Sequence, residues 1–206
     1  MPGSERVREK EVKRQKIMQA AIKVFSRKGY SPAALDEVAK GAGIAKGTLY
    51  LYFQDKEDLF YSTIMHVIDN LSLLLQEKLD EKNSPIKILE DLAFYQLQYF
   101  SQNRDFFGIF QTVLNDNLLI NHKKLFNMLL KKKNDLVDYE SKIVERGKTE
   151  GLIRKDIETL DIVNSFDGMV ETTIKQVGNI EKTNKEFDVN SRIKSIMKIF
   201  LEGVSG

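Results

Sequence analysis

Between Ala45 and Lys56 the chain sets out side chains suited to one kind of chemistry, the grip of a polyanion and the reading of a groove. The run Ala45-Lys46-Gly47-Thr48-Leu49-Tyr50-Leu51-Tyr52-Phe53 combines a cation, a glycine, a threonine and two tyrosines. Lys46 can reach guanine acceptors or a phosphate, Gly47 lets the backbone approach closely, and Thr48 offers a hydroxyl together with a methyl that suits a thymine methyl. The hydroxyls of Tyr50 and Tyr52 and the N–H groups at a helix start are ordinary phosphate ligands. A helical hairpin that merely exposes two tyrosines would carry the same residues, so residue types alone leave both readings open.

Other chemistry finds few parts. There is no cysteine, and the two histidines, His66 and His122, lie far apart in sequence. A thiolate or histidine-rich metal site is thereby excluded, and both histidines are expected at the surface or at a pocket edge. The carboxylate pairs Asp36/Glu37 and Glu57/Asp58 fall on charged helix faces, where solvation is the expectation. No nucleophile, base and orienting group stand together, so neither an enzyme nor a cofactor is expected. A phosphate-binding loop would need Gly-Lys-Thr, whereas this chain has Lys46-Gly47-Thr48, with the order inverted.

Helices must position these residues, because apolar residues recur at helical spacing almost throughout. Ile17, Ala21, Val24 and Phe25 make one stripe, and Gly29 follows as a C-cap. Ser31-Pro32 is expected to open the next helix, with Ser31 as N-cap and Pro32 at the first helical position. The pattern predicts helices over 32–40 and 45–53 around a glycine turn at 41–44, where Gly41 or Gly43 supplies a positive φ. These are the dimensions of a helix-turn-helix. Ile44, Leu49 and Phe53 turn inward, leaving Ala45, Lys46, Gly47, Thr48, Tyr50 and Tyr52 outside. Asp55 with Asp58 resembles a capping box and starts a long helix to about residue 82. Further helices are expected over 86–102, 105–118, 121–147, 157–178 and 186–203, about nine in all and no strand. The fold class is therefore all-α. Residues 1–55 form a small head and 56–206 a larger helical domain, joined through the shared long helix.

The charge distribution agrees with a polyanion partner for the head. Residues 1–60 hold 12 Lys/Arg and 8 Asp/Glu, net +4, and the remainder holds 20 and 22, net −2. An ordinary solvated helix face would carry a similar bias. The start of the chain is charged and lacks the apolar stretch of a secretory signal, and no apolar run reaches the roughly 18 residues of a membrane span, so a cytoplasmic protein with no membrane partner is expected.

The segment Ala39-Lys40-Gly41-Ala42-Gly43-Ile44-Ala45-Lys46-Gly47-Thr48-Leu49-Tyr50-Leu51-Tyr52-Phe53, followed by Lys56-Glu57-Asp58-Leu59, closely resembles the DNA-binding region of TetR-family (tetracycline-repressor-like) regulators. So do Ala20-Ala21, Phe25 and Gly29-Tyr30 before it. The resemblance spans roughly residues 14–60. It implies that Lys46, Gly47 and Thr48 approach bases, and that Tyr50, Tyr52 and Lys56 hold phosphates. Two positions depart from the family pattern. Ala33 stands where a capping Thr is common, which moves the expected cap and phosphate ligand to Ser31. Ala45 stands where a capping Ser is common, which leaves a backbone contact to phosphate there as the expectation.

The resemblance also implies an effector cavity in the larger domain and pairing of two chains through the last two helices. Phe94, Tyr95, Gln98, Phe107, Phe110, Gln111 and Phe166 are the candidates for ligand contact, although a stripe of phenylalanines is also what a plain core looks like. Val163, Phe166, Val170, Ile174, Ile193, Met197 and Phe200 are the candidates for the dimer interface, with closure of the monomer's own core as the alternative. The expected function is a ligand-responsive repressor that binds an inverted-repeat DNA operator as a homodimer and is released by a largely apolar small-molecule effector. A dimeric helical adaptor without specific DNA binding is the alternative.

Overall fold

The structure, a computed structural model, describes residues 2–115, 122–179 and 187–204. Nine helices and no strand occur among the described residues: α1 (Pro2–Lys28), α2 (Leu35–Ala42), α3 (Lys46–Leu49), α4 (Lys56–Lys78), α5 (Pro85–Gln102), α6 (Arg104–Asn115), α7 (Lys123–Thr149), α8 (Thr159–Asn179) and α9 (Val189–Val204). The expected ends at residues 118, 121 and 186 lie outside the described residues. The chain divides into two compact units, one of Met1–Asn70 with Asp105–His122 and the other of Leu71–Arg104 with Lys123–Gly206. The division falls inside α4.

In the first unit the α1 stripe does what its period predicts. Ile17, Ala21 and Phe25 are buried together with Val38 and Ala39 of α2, Leu49 of α3, Phe53, and Leu59, Phe60 and Ile64 of α4. Phe25 meets Phe60 edge-on, ring centres 4.9 Å apart. The backbone leaves α2 through Gly43, whose φ of 68° assigns it, rather than Gly41, the left-handed turn. α6 crosses α1 at its closest point: a Cβ on Gly108 would stand 2.6 Å from the Cβ of Ser26. The Ser26 hydroxyl donates to Asp105 at the start of the same helix, at 3.3 Å.

The expected start of α2 needs correction. Ser31 and Pro32 form a turn, and the helix begins at Leu35, with Ala34 as an extended N-cap that supplies no side-chain bond. Burial of Ala33 in the head and the bond from the Lys56 ammonium to the Ser31 carbonyl hold the preceding residues in that turn. Asp36 and Glu37 in the first turn satisfy the helix dipole instead. At α4 the expectation holds in part. The Asp58 N–H donates to Asp55 Oδ1 at 2.7 Å, but the Asp58 carboxylate accepts from Gln54, one residue before the cap.

In the second unit α5 is the central helix, contacted by α7, α8 and α9. Its Ile88, Leu89, Leu92, Ala93 and Leu97 are buried on several sides, as a sandwiched helix requires. Ser84 caps it by accepting from the Lys87 N–H at 3.3 Å, and Pro85 fills the first turn.

The stripes assigned to pairing belong to this core. Val163, Phe166, Val170, Ile193, Met197 and Phe200 are all buried within one chain, and Ile174 packs against the same cluster. Phe166 lies 5.1 Å from Phe200, ring centre to ring centre. The apolar faces of α8 and α9 are wide enough to cover α5, and within the single chain they close its core. The apolar side chains these helices leave outside are Leu160, 56% exposed, and Ile199, 65% exposed.

Candidate DNA-reading face and effector cleft

The segment after Gly43 presents the face read from the sequence. Leu49 and Phe53 anchor it inward, while Ala45, Lys46, Gly47 and Tyr50 are exposed and Thr48 and Tyr52 half-buried. α3 proper is one turn, and tighter bonds carry it on, from Leu51 N–H to the Thr48 carbonyl and from Tyr52 N–H to the Leu49 carbonyl. Ala45 is an extended N-cap with no side-chain bond, so no hydroxyl or carboxylate competes for the first N–H groups of α3. Leu51, 75% exposed, is an apolar tip in the same run that residue types did not single out.

The cations are held but remain accessible. Lys46 Nζ donates to Asp36 of α2 at 3.0 Å, and that carboxylate raises the lysine above its ordinary value. Both side chains are more than half exposed, so the pair is a weak one. Lys56 and Ser31 come together: Lys56 Nζ donates to the Ser31 carbonyl at 2.8 Å and lies 4.9 Å from the centre of the Tyr30 ring. Partial burial lowers the lysine below its usual range. Arg14 of α1 stacks over Phe53, 5.1 Å from the ring centre.

The histidines are more engaged than surface residues would be. His122 Nδ1 is 2.7 Å from the Tyr61 hydroxyl, which itself donates to Glu57. The Asn70 amide donates to His66 Nε2 at 3.1 Å, and burial lowers that histidine. In the second unit Glu140 is fully buried, with no donor on either oxygen. Burial first, and the Asp167 carboxylate next, push it up to about 9, while Asp167 pairs with Lys133. Nothing in the sequence marked Glu140, which sits among polar and charged neighbours on its helix.

The expected ligand residues are divided between the two units. Phe107 and Phe110 lie in the first unit, and the side chain of Gln111 is outside the described residues. Phe94 packs against the core of the second unit with Tyr95 on it, ring centres 5.2 Å apart, and Phe166 is inside that core. Gln98 is half-buried. A cleft of about 460 Å³ does open within the second unit, between the end of α4, α5 and α7. Leu75, Leu79, Leu92 and Leu136 line it, and its polar lining includes Lys132 and Tyr139 together with the carboxylates of Glu81 and Asp135. The Tyr139 hydroxyl donates to Glu81 at 2.6 Å.

A family profile described as "Bacterial regulatory proteins, tetR family" matches residues 17–62, which is the helix-turn-helix and its supporting α1 and α4. Over nearly the whole length the chain is similar to the fatty acid metabolism regulator protein of Bacillus subtilis (strain 168), 25% identical over 199 residues, 96% of this chain and 98% of that protein. The chain belongs to the TetR family. Its fold agrees: this TetR-family regulator superposes on the fatty acid degradation regulator FadR from Bacillus halodurans with a TM-score of 0.74 at 23% identity, over 92% of this chain and 94% of that one. The transcriptional regulator FadR from Bacillus subtilis in complex with stearoyl-CoA matches with a TM-score of 0.75 at 20% identity, over 92% and 98%. This TetR-family chain is thus a DNA-binding transcription regulator. Among its described residues no helix is long and apolar enough to cross a membrane.

Proposed function

We propose that this regulator is a cytoplasmic repressor that holds an inverted-repeat operator as a homodimer and lets go when an acyl-CoA or fatty acid binds its second unit. The observation that carries the reading is the exposed Ala45–Tyr52 face in a chain whose full-length relative regulates fatty acid metabolism. A solved TetR-fold structure holds stearoyl-CoA, and the cleft here sets four leucines, which suit an acyl chain, beside Lys132, Glu81 and Asp135. Lys46, Gly47 and Thr48 meet base edges, and Tyr50, Tyr52, Lys56, Ser31 and the Ala45 backbone meet phosphates. α4 runs unbroken from Lys56 beside the reading face to Lys78 by the cleft, so an occupant that favours one tilt of α4 changes how the two heads of a dimer fit their half-sites.

The test has two steps. A thermal-shift series of acyl-CoAs and free fatty acids of rising chain length identifies the occupant, since a ligand at ~100 times its dissociation constant adds about 2.7 kcal/mol of stability. The stabilising compound is then titrated into the complex with DNA from upstream of the gene, where operator affinity falls by a factor of about 5 to 150. A compound that binds while operator affinity stays constant overturns the release mechanism, and a series in which none binds overturns the effector class.

A further inference from the structure

Two buried polar side chains in the second unit lack partners. Gln96 of α5 is 8% exposed, and its amide nitrogen Nε2 meets no acceptor. Glu140 of α7 is fully buried, and neither of its oxygens meets a donor. A buried donor or acceptor left unpaired is costly, and folded proteins keep few of them.

Helix register puts both groups behind the inner wall of the cleft. The end of α7 lies at the start of α5: Arg146 donates to the Asn83 carbonyl, and a Cβ on Gly147 would stand 3.3 Å from the Cβ of Pro85. Leu92, further along α5, and Leu136, further back along α7, line the same cleft, so the two helices run antiparallel. Leu92 is seven residues after Pro85, and Glu140 is seven before Gly147. Seven residues are close to two turns, so Leu92 and Glu140 face each other as Pro85 and Gly147 do. Eleven residues are close to three turns, which sets Gln96 against Leu136. Each unpaired group thus stands opposite a leucine of the cleft wall, and the two groups are one turn apart, about 6 Å along the axes.

The chemistry of the pair selects its partner. Glu140 hydrogen-bonds Asp167, whose own partner is Lys133. Two carboxyl groups so placed share a proton, and burial makes Glu140 the neutral one. Its hydroxyl is committed to Asp167, and its carbonyl oxygen is left to accept. Gln96 Nε2 is left to donate. An ammonium brings only donors and leaves Gln96 unpaired. A carboxylate brings only acceptors and meets two acid groups. A hydroxyl does both, and its oxygen bridges atoms up to about 5.6 Å apart through two hydrogen bonds of about 2.8 Å.

We propose that the cleft extends between α5 and α7 as its occupant enters, and that Gln96 and Glu140 receive a hydroxyl carried on the occupant's chain. The effector is then a hydroxylated acyl compound in preference to a plain one. The inference rests on the acyl reading and narrows it to one chemical class. Leu136 is the movable part of the wall, since it is only partly buried and Leu92 is fully so.

Titration calorimetry on the full-length protein compares matched chains with the hydroxyl near the head, in the middle and at the end. The pairs are β-hydroxyhexadecanoate and ω-hydroxyhexadecanoate against hexadecanoate, and ricinoleate against oleate, each as free acid and as CoA thioester. For at least one pair the wild type should bind the hydroxylated compound about fivefold or more tightly, because it alone satisfies both buried groups. Gln96→Leu should keep its affinity for the plain chain, melt no lower than the wild type and bring that ratio near one. A purely structural amide would instead lower the melting temperature and leave the ratio alone. Gln96→Met replaces this variant if leucine packs badly, and Glu140→Leu repeats the test from α7. Equal affinities within every pair mean that water alone serves the two groups, which overturns the inference and leaves the acyl reading intact. A preference that survives Gln96→Leu places the hydroxyl elsewhere and overturns the site. Binding of neither kind of chain overturns the acyl reading itself, and this inference with it.

Discussion

Lys46 illustrates how a residue can be ready for a partner without being idle. Its bond to Asp36 is exposed on both sides, and such pairs contribute about 0–1 kcal/mol, so DNA can draw the ammonium away at little cost. Lys46→Ala should weaken duplex binding and reduce the salt slope by about one, with the melting temperature unchanged; a lost fold or an unaltered slope would show that the face is misassigned. Tyr50→Phe should also weaken binding, since removing the hydroxyl takes away a phosphate ligand from a side chain 48% exposed. At Glu140 the consequence is for stability. Its folded pKa is raised from 4.5 to about 9, so between those values the unfolded chain releases a proton that the folded chain keeps. Stability therefore falls as pH rises through that window. Glu140→Gln should remove this slope and add on the order of 1–3 kcal/mol at pH 8, with little effect at pH 4.5. Melting curves at the two pH values check it, and equal gains at both would refute the burial argument.

Among the elements, α6 is placed by contact rather than by pattern. Its Phe107, Ile109 and Val113 are buried, and Gly108 brings its backbone against Ser26 of α1. A methyl there would meet the Ser26 Cβ at 2.6 Å and the backbone at 3.2 Å, neither of which can swing aside. Gly108→Ala should cost about 1–3 kcal/mol despite the better helix propensity of alanine. A denaturant midpoint that rises on this substitution would mean the two helices part easily. α8 offers the opposite case, for a Cβ on Gly168 meets nothing within 4 Å in the single chain.

For the whole molecule, that empty space is where a second chain is expected. The exposed side of α8 carries Leu160, Asn164, Ser165, Gly168 and Thr172, and that of α9 carries Ile199. Small residues beside large apolar ones allow two helix pairs to meet across a two-fold axis. Gly168→Arg should turn a dimer into a monomer in sedimentation equilibrium and abolish the high-affinity complex with an inverted repeat. Because the residue is exposed in the single chain, the substitution should leave the monomer folded, which separates loss of pairing from loss of structure. A dimer that survives Gly168→Arg would place the interface elsewhere.

The sequence by itself determined the helical class, the helix-turn-helix and the face that α3 presents. Each follows from local physics: the period of Ile17, Ala21 and Phe25, the glycine turn before Ala45, and the Asp55 cap of α4 are short-range signals between near neighbours. Only the tertiary structure decided what the long-range partners were. The stripes through Val163 and Phe200 read equally well as a dimer surface or a core, because periodicity gives a buried face without saying what buries it; α5, apolar on nearly every side, claimed them. Ser31 could have capped α2, but the burial of Ala33 and the reach of Lys56 made it a turn. α6 packs with the head although it follows α5, and Glu140 lost its water to helices far along the chain. Such outcomes depend on which surfaces compete for one another in space, and spacing along a chain does not encode that competition.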